Sequence, residues 1–379
     1  MMATNKEKGF ATLTITLVLV SLLVAVSVFI GKVLVSDKRI TLNEIEYRVA
    51  LAAAEKGIAD AMAILKVDPA VSSASGTLAT SAATATYQVS IIQDSPIPNA
   101  WQLESAATLA GGGGTTVSVQ VVRRSILNPA NAGPAAPLLI GGASTGISGN
   151  MTVVANPNGG GPGVPVSVWS GKDIAGGGSM QTCQLGDYNG SGCTDTLSTK
   201  SGGTVTLDSD VVDNDADFPT DLLSYVFGFG DDEWEKLEAM ATAIVSSCSS
   251  IVSPGFYIVE GAGDCDIDDI TSSTDEPVIA LVKDANIVAN GGNQFYGLLF
   301  SYDSDPISAP GYTLKLNGNA KIFGAITTNH GGDNLNGTFD AVYDQGVICN
   351  LSYCDGNTSG GSGSPFVKLM IIPGSWKDW

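Results

Sequence analysis

Lys8-Gly9-Phe10-Ala11-Thr12-Leu13-Thr14 opens a run of 21 residues, Phe10 to Ile30, without a single charged side chain. Only Thr, Ser and Ala dilute its Leu, Val, Ile and Phe. As a helix rising about 1.5 Å per residue, such a run covers the roughly 30 Å hydrocarbon core of a bilayer. Lys6 and Lys8 stand just before it, and Lys32, Lys38 and Arg39 follow. A secretory signal peptide is the competing reading, but its apolar region usually spans about 7–15 residues and ends at a small-residue cleavage site. This run is longer, and Gly31-Lys32-Val33 is a poor site, so a membrane-spanning anchor is expected.

Beyond the anchor, 379 residues allow two or three domains and a large core. Lys and Arg total 18 against 38 Asp and Glu, a net charge of −20. That balance argues against nucleic acid or an anionic lipid surface as partner, and suits a protein kept soluble outside the cell. With 46 Gly and only 15% charged residues, the composition favours an all-β, turn-rich ectodomain over a helical enzyme. The six cysteines fall in neighbouring twos: Cys183 and Cys193, Cys248 and Cys265, Cys349 and Cys354. There is no CxxC, and His330 is the one histidine, so a zinc site has little to draw on. After a membrane anchor, an even count reads as three disulfides made in an oxidising compartment. Local pairing is preferred among the connectivities that remain open.

The apolar pattern continues past the bilayer. Ile40, Ile45, Val49, Ala52 or Ala53, Ile58 and Met62 recur near a 3.6-residue period, with Glu44, Arg48, Glu55 and Asp60 between them. No Pro intervenes before Pro69, so one helix over 10–66 is expected, apolar in its first half and amphipathic in its second. A charged leader ending in Lys8-Gly9, with Phe10 opening the helix, resembles the type III leader of type IV pilins. In that family a prepilin peptidase cuts after the Gly and methylates the new amino terminus. The resemblance implies a leader over 1–9, cleavage between Gly9 and Phe10, and N-methylation of Phe10. Arg48-Val49-Ala50-Leu51-Ala52-Ala53-Ala54-Glu55-Lys56-Gly57-Ile58 resembles the Ala-rich helix of PilX-type pilus assembly proteins.

A Ser/Ala/Thr-rich connector leads to three alternating strand candidates, Tyr87 to Ile92, Gln102 to Leu109 and Thr115 to Val122, ending at Arg123-Arg124. Residues 67–127 are therefore expected to form a small antiparallel sheet, with the paired arginines as a solvated strand end. The Pro/Ala/Asn/Gly stretch 128–137 reads as a linker, and 138–379 as a β-rich extracellular domain. Its texture is of short apolar runs, Pro137 to Ile140, Met151 to Ala155, Val164 to Trp169 and Thr204 to Leu207, between Gly- and Asn-rich turns. A helical insertion is expected near 217–247, with Asp232 capping its second helix. From Gly255 onward, short apolar strands ended by Asn or Gly suit the rungs of a β-solenoid; an irregular period leaves a β-sandwich open. The fold class is α+β. Asn317-Gly318-Asn319-Ala320-Lys321-Ile322-Phe323-Gly324-Ala325, Phe339 to Asp344 and the closing Pro373 to Trp379 also look like the β-rich domain that accompanies PilX-type N-termini.

Candidate chemistry is sparse. Asp264, Asp266, Asp268 and Asp269 cluster, as do Asp208, Asp210, Asp213, Asp215 and Asp217, but a glycosidase needs two carboxyls facing one sugar from separate elements. The sequence has no G-x-S-x-G, H-E-x-x-H or Walker loop. His330, in Asn329-His330-Gly331-Gly332-Asp333, reads as an exposed turn residue. Asp187, Asn189 and Ser191 stand at positions 1, 3 and 5 of a calcium-type loop, with Gly192 at 6 and Asp195 at 9, but position 12 is Ser198 rather than Glu. An ordinary turn is the preferred reading of this loop, with calcium as the alternative and no other cofactor expected. Trp376 and Trp379 are expected to pack over the end of the β-domain, the alternative being a docking tail.

These readings converge on a non-enzymatic minor pilin that primes or caps a pilus-like filament. What the resemblance implies is an inner-membrane single-pass precursor with a periplasmic domain, moving to the pilus or cell surface on assembly. The implied partners are other minor and major pilins, the prepilin peptidase and the inner-membrane assembly platform, without nucleic acid. Most major pilins carry Glu at the fifth mature position; here that position is Thr14, and lacking Glu marks tip subunits in the family. Two alternatives are a tip adhesin binding surfaces or glycans, and a membrane-anchored polysaccharide-active enzyme.

Overall fold

A computed structural model describes residues 6–81, 83–93, 99–128, 130–131, 133–142, 148–174, 178–202, 204–252, 254–261, 263–306, 311–331, 335–352 and 365–378. The chain divides into two units, Met1–Val122 with Leu369–Trp379, and Arg123–Lys368.

The first unit is built on one helix, Lys6–Val67. Its leading apolar side chains, Leu13 through Val35, are exposed, while Val49, Ala50, Ala53, Ala54, Ile58, Ala61 and Leu65 are buried. The buried stripe is mostly Ala because the helix lies close against a sheet. At Gly57 a Cβ would reach the Ser105 hydroxyl and come within 2.9 Å of the Tyr87 ring. The sheet runs antiparallel in chain order through Ser73–Ala79, Thr84–Gln93, Ala100–Leu109 and Gly114–Ser125. Strand alternation turns Tyr87, Val89, Ile91, Leu103, Val117, Val119 and Val121 onto the helix. The Asp60 carboxylate accepts from both the Lys56 ammonium and the Tyr87 hydroxyl, tying helix to sheet. α+β is therefore the fold class.

Three features of this unit depart from expectation. The Ser/Ala/Thr-rich connector contributes a full edge strand, Ser73–Ala79, whose pairing satisfies a backbone that its small side chains do little to bury. The C-terminal residues return to this sheet: Val367–Ile371 lies beside Gly114–Ser125, and Lys377–Asp378 pairs with Val117 and Ser118. Trp376 belongs to this returning segment and is 42% exposed, rather than packed over the β-rich domain, and Trp379 lies outside the described residues.

The second unit is a sheet of mainly parallel strands. Tyr257, Ala280, Leu299, Ile326, Leu138, Val168 and Val211 stand side by side in register across seven strands. All seven enter one core, together with Val259, Val282, Phe295, Ile322 and Phe339. The intervening residues, Phe256, Ile258, Ile279, Leu281, Leu298 and Phe300, enter a second core on the opposite face. Burial on both faces is why these strands read as continuous apolar runs.

The helical insertion covers that second face. Asp221 caps Leu222–Phe227 by accepting from the Ser224 amide at 2.9 Å, and Leu222, Leu223, Val226 and Phe227 are buried. The next helix is shorter than expected. It runs Trp234–Met240 behind a single turn at Asp231–Glu233, its N-cap is Glu233 rather than Asp232, and Ala243–Val245 is already a parallel strand against Tyr257–Val259. The stretch expected as a linker, 128–137, contributes to this core: Ala136 is buried, and the Asn128 side-chain amide donates to the Ser224 carbonyl at 3.1 Å. Arg124 is no solvated strand end. Its guanidinium lies 3.9 Å over the Phe229 ring and donates to the Phe227 and Gly228 carbonyls at the end of the short helix.

Candidate functional site

The surface with the largest functional implication is the leading half of the N-terminal helix. Gly9 and Phe10 lie on the helical backbone, and Thr14 one turn further on. Three hydroxyls of the run bond the helix's own backbone: Thr16 donates to the Leu13 carbonyl at 2.9 Å, Ser21 to Val18 at 2.8 Å and Ser27 to Leu23 at 2.8 Å. A helix whose hydroxyls bond their own backbone presents apolar groups outward, as lipid or a bundle of like helices requires. The helix is long and apolar enough to cross a membrane, with none of its most apolar stretch buried. Further along, exposure gives way to charge pairing, Arg48 to Glu44 at 2.6 Å, and then to the buried alanine stripe. One element thus carries two surfaces, the first unpartnered and the second docked on the sheet.

Two of the expected disulfides form, Cys183–Cys193 and Cys248–Cys265. Cys349 is disulfide-bonded as well, and Cys354 lies outside the described residues.

The calcium-type loop is folded by its own side chains. Asn189 Oδ1 accepts from the Ser191 amide and hydroxyl, both at 3.0 Å, and Asp195 Oδ1 accepts from the Thr196 amide at 3.0 Å. Asp187 ends a single 3-10 turn, and its carbonyl accepts from Thr194. Ser198, the twelfth position, is buried and donates to Asp210 at 2.5 Å. The Lys321 ammonium donates to the Gly190 carbonyl, placing a fixed cation on the loop. Among the described residues no group of three or more His, Cys, Asp or Glu is placed to hold a metal. The geometry is that of a turn clasped by a disulfide.

The acidic clusters are likewise engaged locally. Asp264 accepts from Asn286, Asp266 from the Asp268 amide, and Asp268 from the Asn290 and Gly291 amides at a strand corner. Asp210 is 1% exposed and accepts from Ser167 and Ser198. Asp215 accepts from the Trp169 indole at 2.7 Å.

His330 corrects its expectation. It is 3% exposed, its Nε2 lies 2.8 Å from the Ser301 hydroxyl, and its Nδ1 faces the Gly331 carbonyl at 3.3 Å. Parallel pairing of Gln294–Tyr302 with Ala320–Thr328 brings the two residues together, which no local motif announces. Ser301 is itself fully buried, so this pair fills the interior end of two strands and does not face a substrate. Burial holds the His330 pKa below its usual 6.5, only partly opposed by Gly331 and the nearby Asp303 carboxylate. The folded state therefore declines a proton that the unfolded chain accepts. Stability from this residue is full above about pH 6.5 and falls as pH drops through that value, by up to about 1.4 kcal/mol per pH unit. As the chain has a single histidine, His330→Gln should flatten the stability profile between pH 6.5 and 5.5. Urea midpoints at several pH values for both proteins check this; parallel profiles would refute the buried neutral imidazole.

Residues 8–59 match the family model described as PilX N-terminal. No curated protein matches the chain. A solved structure, the competence-associated pilin ComZ from Thermus thermophilus, is 9% identical over 88% of this chain and 97% of its own, with a TM-score of 0.23. A TM-score that low lends no structural argument. The family match coincides with the helix whose first half is exposed and whose second half docks on a small sheet. It points to a structural pilus subunit rather than an enzyme. Residues 8–59 of this chain are thus PilX-type, type IV pilin-like sequence.

Proposed function

We propose that the protein is a minor pilin, released from its leader between Gly9 and Phe10 and N-methylated on Phe10. The observation that carries this reading is the helix with two surfaces. Its Leu13–Val35 stretch is exposed and apolar, while its own sheet occupies only the second half. Before assembly the exposed stretch is satisfied by the inner membrane, with both folded units in the periplasm. During assembly it exchanges lipid for the helices of other minor and major pilins, an exchange of one apolar surface for another that needs only close packing to be favourable. The prepilin peptidase and the inner-membrane assembly platform act on the chain in that sequence. In the second unit, the parallel stack with two cores is read as a solenoid carried on the pilin helix. A domain of that bulk suits occasional rather than repeated use along a thin fibre.

Thr14, at the fifth mature position, supports a place at the filament tip. A Glu there would meet the amino terminus of a neighbouring subunit; a neutral Thr forgoes that partner and avoids a costly unpaired charge in the bilayer. A tip position would also suit surface adhesion.

Gly9→Ala tests the proposal. The substitution should leave the leader attached, so that the protein keeps residues 1–9 and Phe10 carries no methyl group. Mass spectrometry of the N-terminal peptide from cells with an intact pilus system reads both changes. An unprocessed wild type, or normal processing of Gly9→Ala, would overturn it.

A further inference from the structure

The outer face of the second unit carries a groove of about 660 Å³. Its floor is a ladder made by strand register. Lys321, Asp340, Thr152, Gln181 and Thr199 are successive neighbours across five strands. A second row runs parallel to it, with Thr338, Asn150 and Ser179 in register. Because Met151, Met180, Phe339 and Ile322 point into the core, their sequence neighbours in these rows must point outward. At about 4.8 Å between strands, the five-strand row spans roughly 19 Å.

The Cys183–Cys193 loop forms a wall. Tyr188 and Cys193 pack with Val154, Cys183 and Val342 on the same outer face. The Tyr188 hydroxyl donates to Asp340 at 2.5 Å, and Lys321 reaches the Gly190 carbonyl. These contacts tie the loop over the Lys321 and Asp340 end of the ladder and leave the Gln181 and Thr199 end beside it. Within the groove, Gln181 donates to Thr152 at 3.0 Å, leaving its carbonyl available. The side chains of Asn150, Ser179, Thr199, Lys200, Asn319 and Thr338 have no protein partner among the described residues.

We infer that this groove binds an extended, neutral glycan. Amides and hydroxyls each offer a donor and an acceptor, as sugar hydroxyls do, and a row of them repeated at strand spacing suits a polymer lying across the strands. A protein partner would call for aromatic anchors, and among the described residues the lining has none, Met151 and Met180 being its only large apolar members. Nucleic acid and acidic polymers are disfavoured by the chain's net charge of −20. The wall contributed by the tied loop gives the groove one closed side and a preorganised shape. This inference does not rest on the pilin reading, which concerns the other unit of the chain.

The full-length protein in detergent micelles is titrated with cellohexaose, maltohexaose and chitohexaose by isothermal calorimetry. At least one hexamer should bind, with weaker binding of the corresponding disaccharide. Asn150→Leu combined with Gln181→Leu removes floor polarity at solvent-facing positions and should weaken binding at least tenfold. Ser304→Ala, away from the groove, should leave affinity unchanged. Circular dichroism and a non-reducing peptide map of Cys183–Cys193 confirm that the variants fold. Should the double variant not fold, Lys200→Ala with Thr199→Val replaces it with the same expected weakening. Absence of binding by all three hexamers, or binding that folded groove variants leave intact, would overturn the inference.

Discussion

Phe227→Ala is expected to destabilise the second unit by about 3–5 kcal/mol, the range for deleting a large buried aromatic side chain. Phe227 is fully buried at the end of the short helix Leu222–Phe227. Its ring lies between Phe256, at 5.2 Å and 24°, and Phe300, at 6.1 Å and 12°. Those two partners come from strands on either side of Val278–Lys283, so the ring fastens the insertion to the strands it covers. Truncation removes apolar burial and leaves a cavity that flanking rings cannot fill, because each is held by its own strand. Phe227→Leu keeps much of the volume and should lose less than half as much. Urea unfolding of the full-length protein, followed by near-ultraviolet circular dichroism, reads the difference. A loss below about 1 kcal/mol for the Ala variant would show that the insertion is not anchored through this residue.

Gly324→Ala is the second large effect. Gly324 has φ +130° and stands in register with Gly297, at φ +147°, on the adjacent strand. A Cβ at Gly324 would press on the Gly297 carbonyl, 2.9 Å from its carbon, with Val347 at 3.3 Å behind. None of the nearest obstacles is the end of a flexible side chain that could swing away. An L-residue also resists this backbone conformation, by about 1–3 kcal/mol before any collision is counted. The strand must therefore shift, and its neighbours share two cores with it. A total loss above about 3 kcal/mol is expected, seen as a large drop in urea midpoint or as failure to accumulate folded protein. Gly263→Ala is the control, since a Cβ there meets open space and its effect should stay within about 0.5 kcal/mol. Equal behaviour of the two variants would mean that the paired glycines are not a structural requirement.

The elements that were legible in the sequence are those set by local pattern. The helix Lys6–Val67 follows from an uninterrupted apolar run and a 3.6-residue stripe, both properties of consecutive residues. The strands Thr84–Gln93, Ala100–Leu109 and Gly114–Ser125 follow from two-residue alternation between turn-forming segments. Two disulfides follow from cysteines close in the chain. The edge strand Ser73–Ala79 was hidden because an edge of Ser, Ala, Gly and Thr carries little alternation; its partner defines it. His330 read as a turn residue for a similar reason. Glycine neighbours suggest exposure, whereas its burial depends on Ser301, 29 residues away, arriving on the next strand.

What the sequence by itself determined is therefore a helix long and apolar enough to cross a membrane, its continuation onto a small sheet, and a β-rich second half. All of these rest on interactions within a few residues. The tertiary structure alone decided which strands lie side by side, and with that the return of Leu369–Trp379 to the first unit, the two-core sheet and the polar ladder. Lys321, Asp340, Thr152, Gln181 and Thr199 are scattered along the chain and share no motif. Only parallel register, set by which apolar residues meet in the cores, places them in one row.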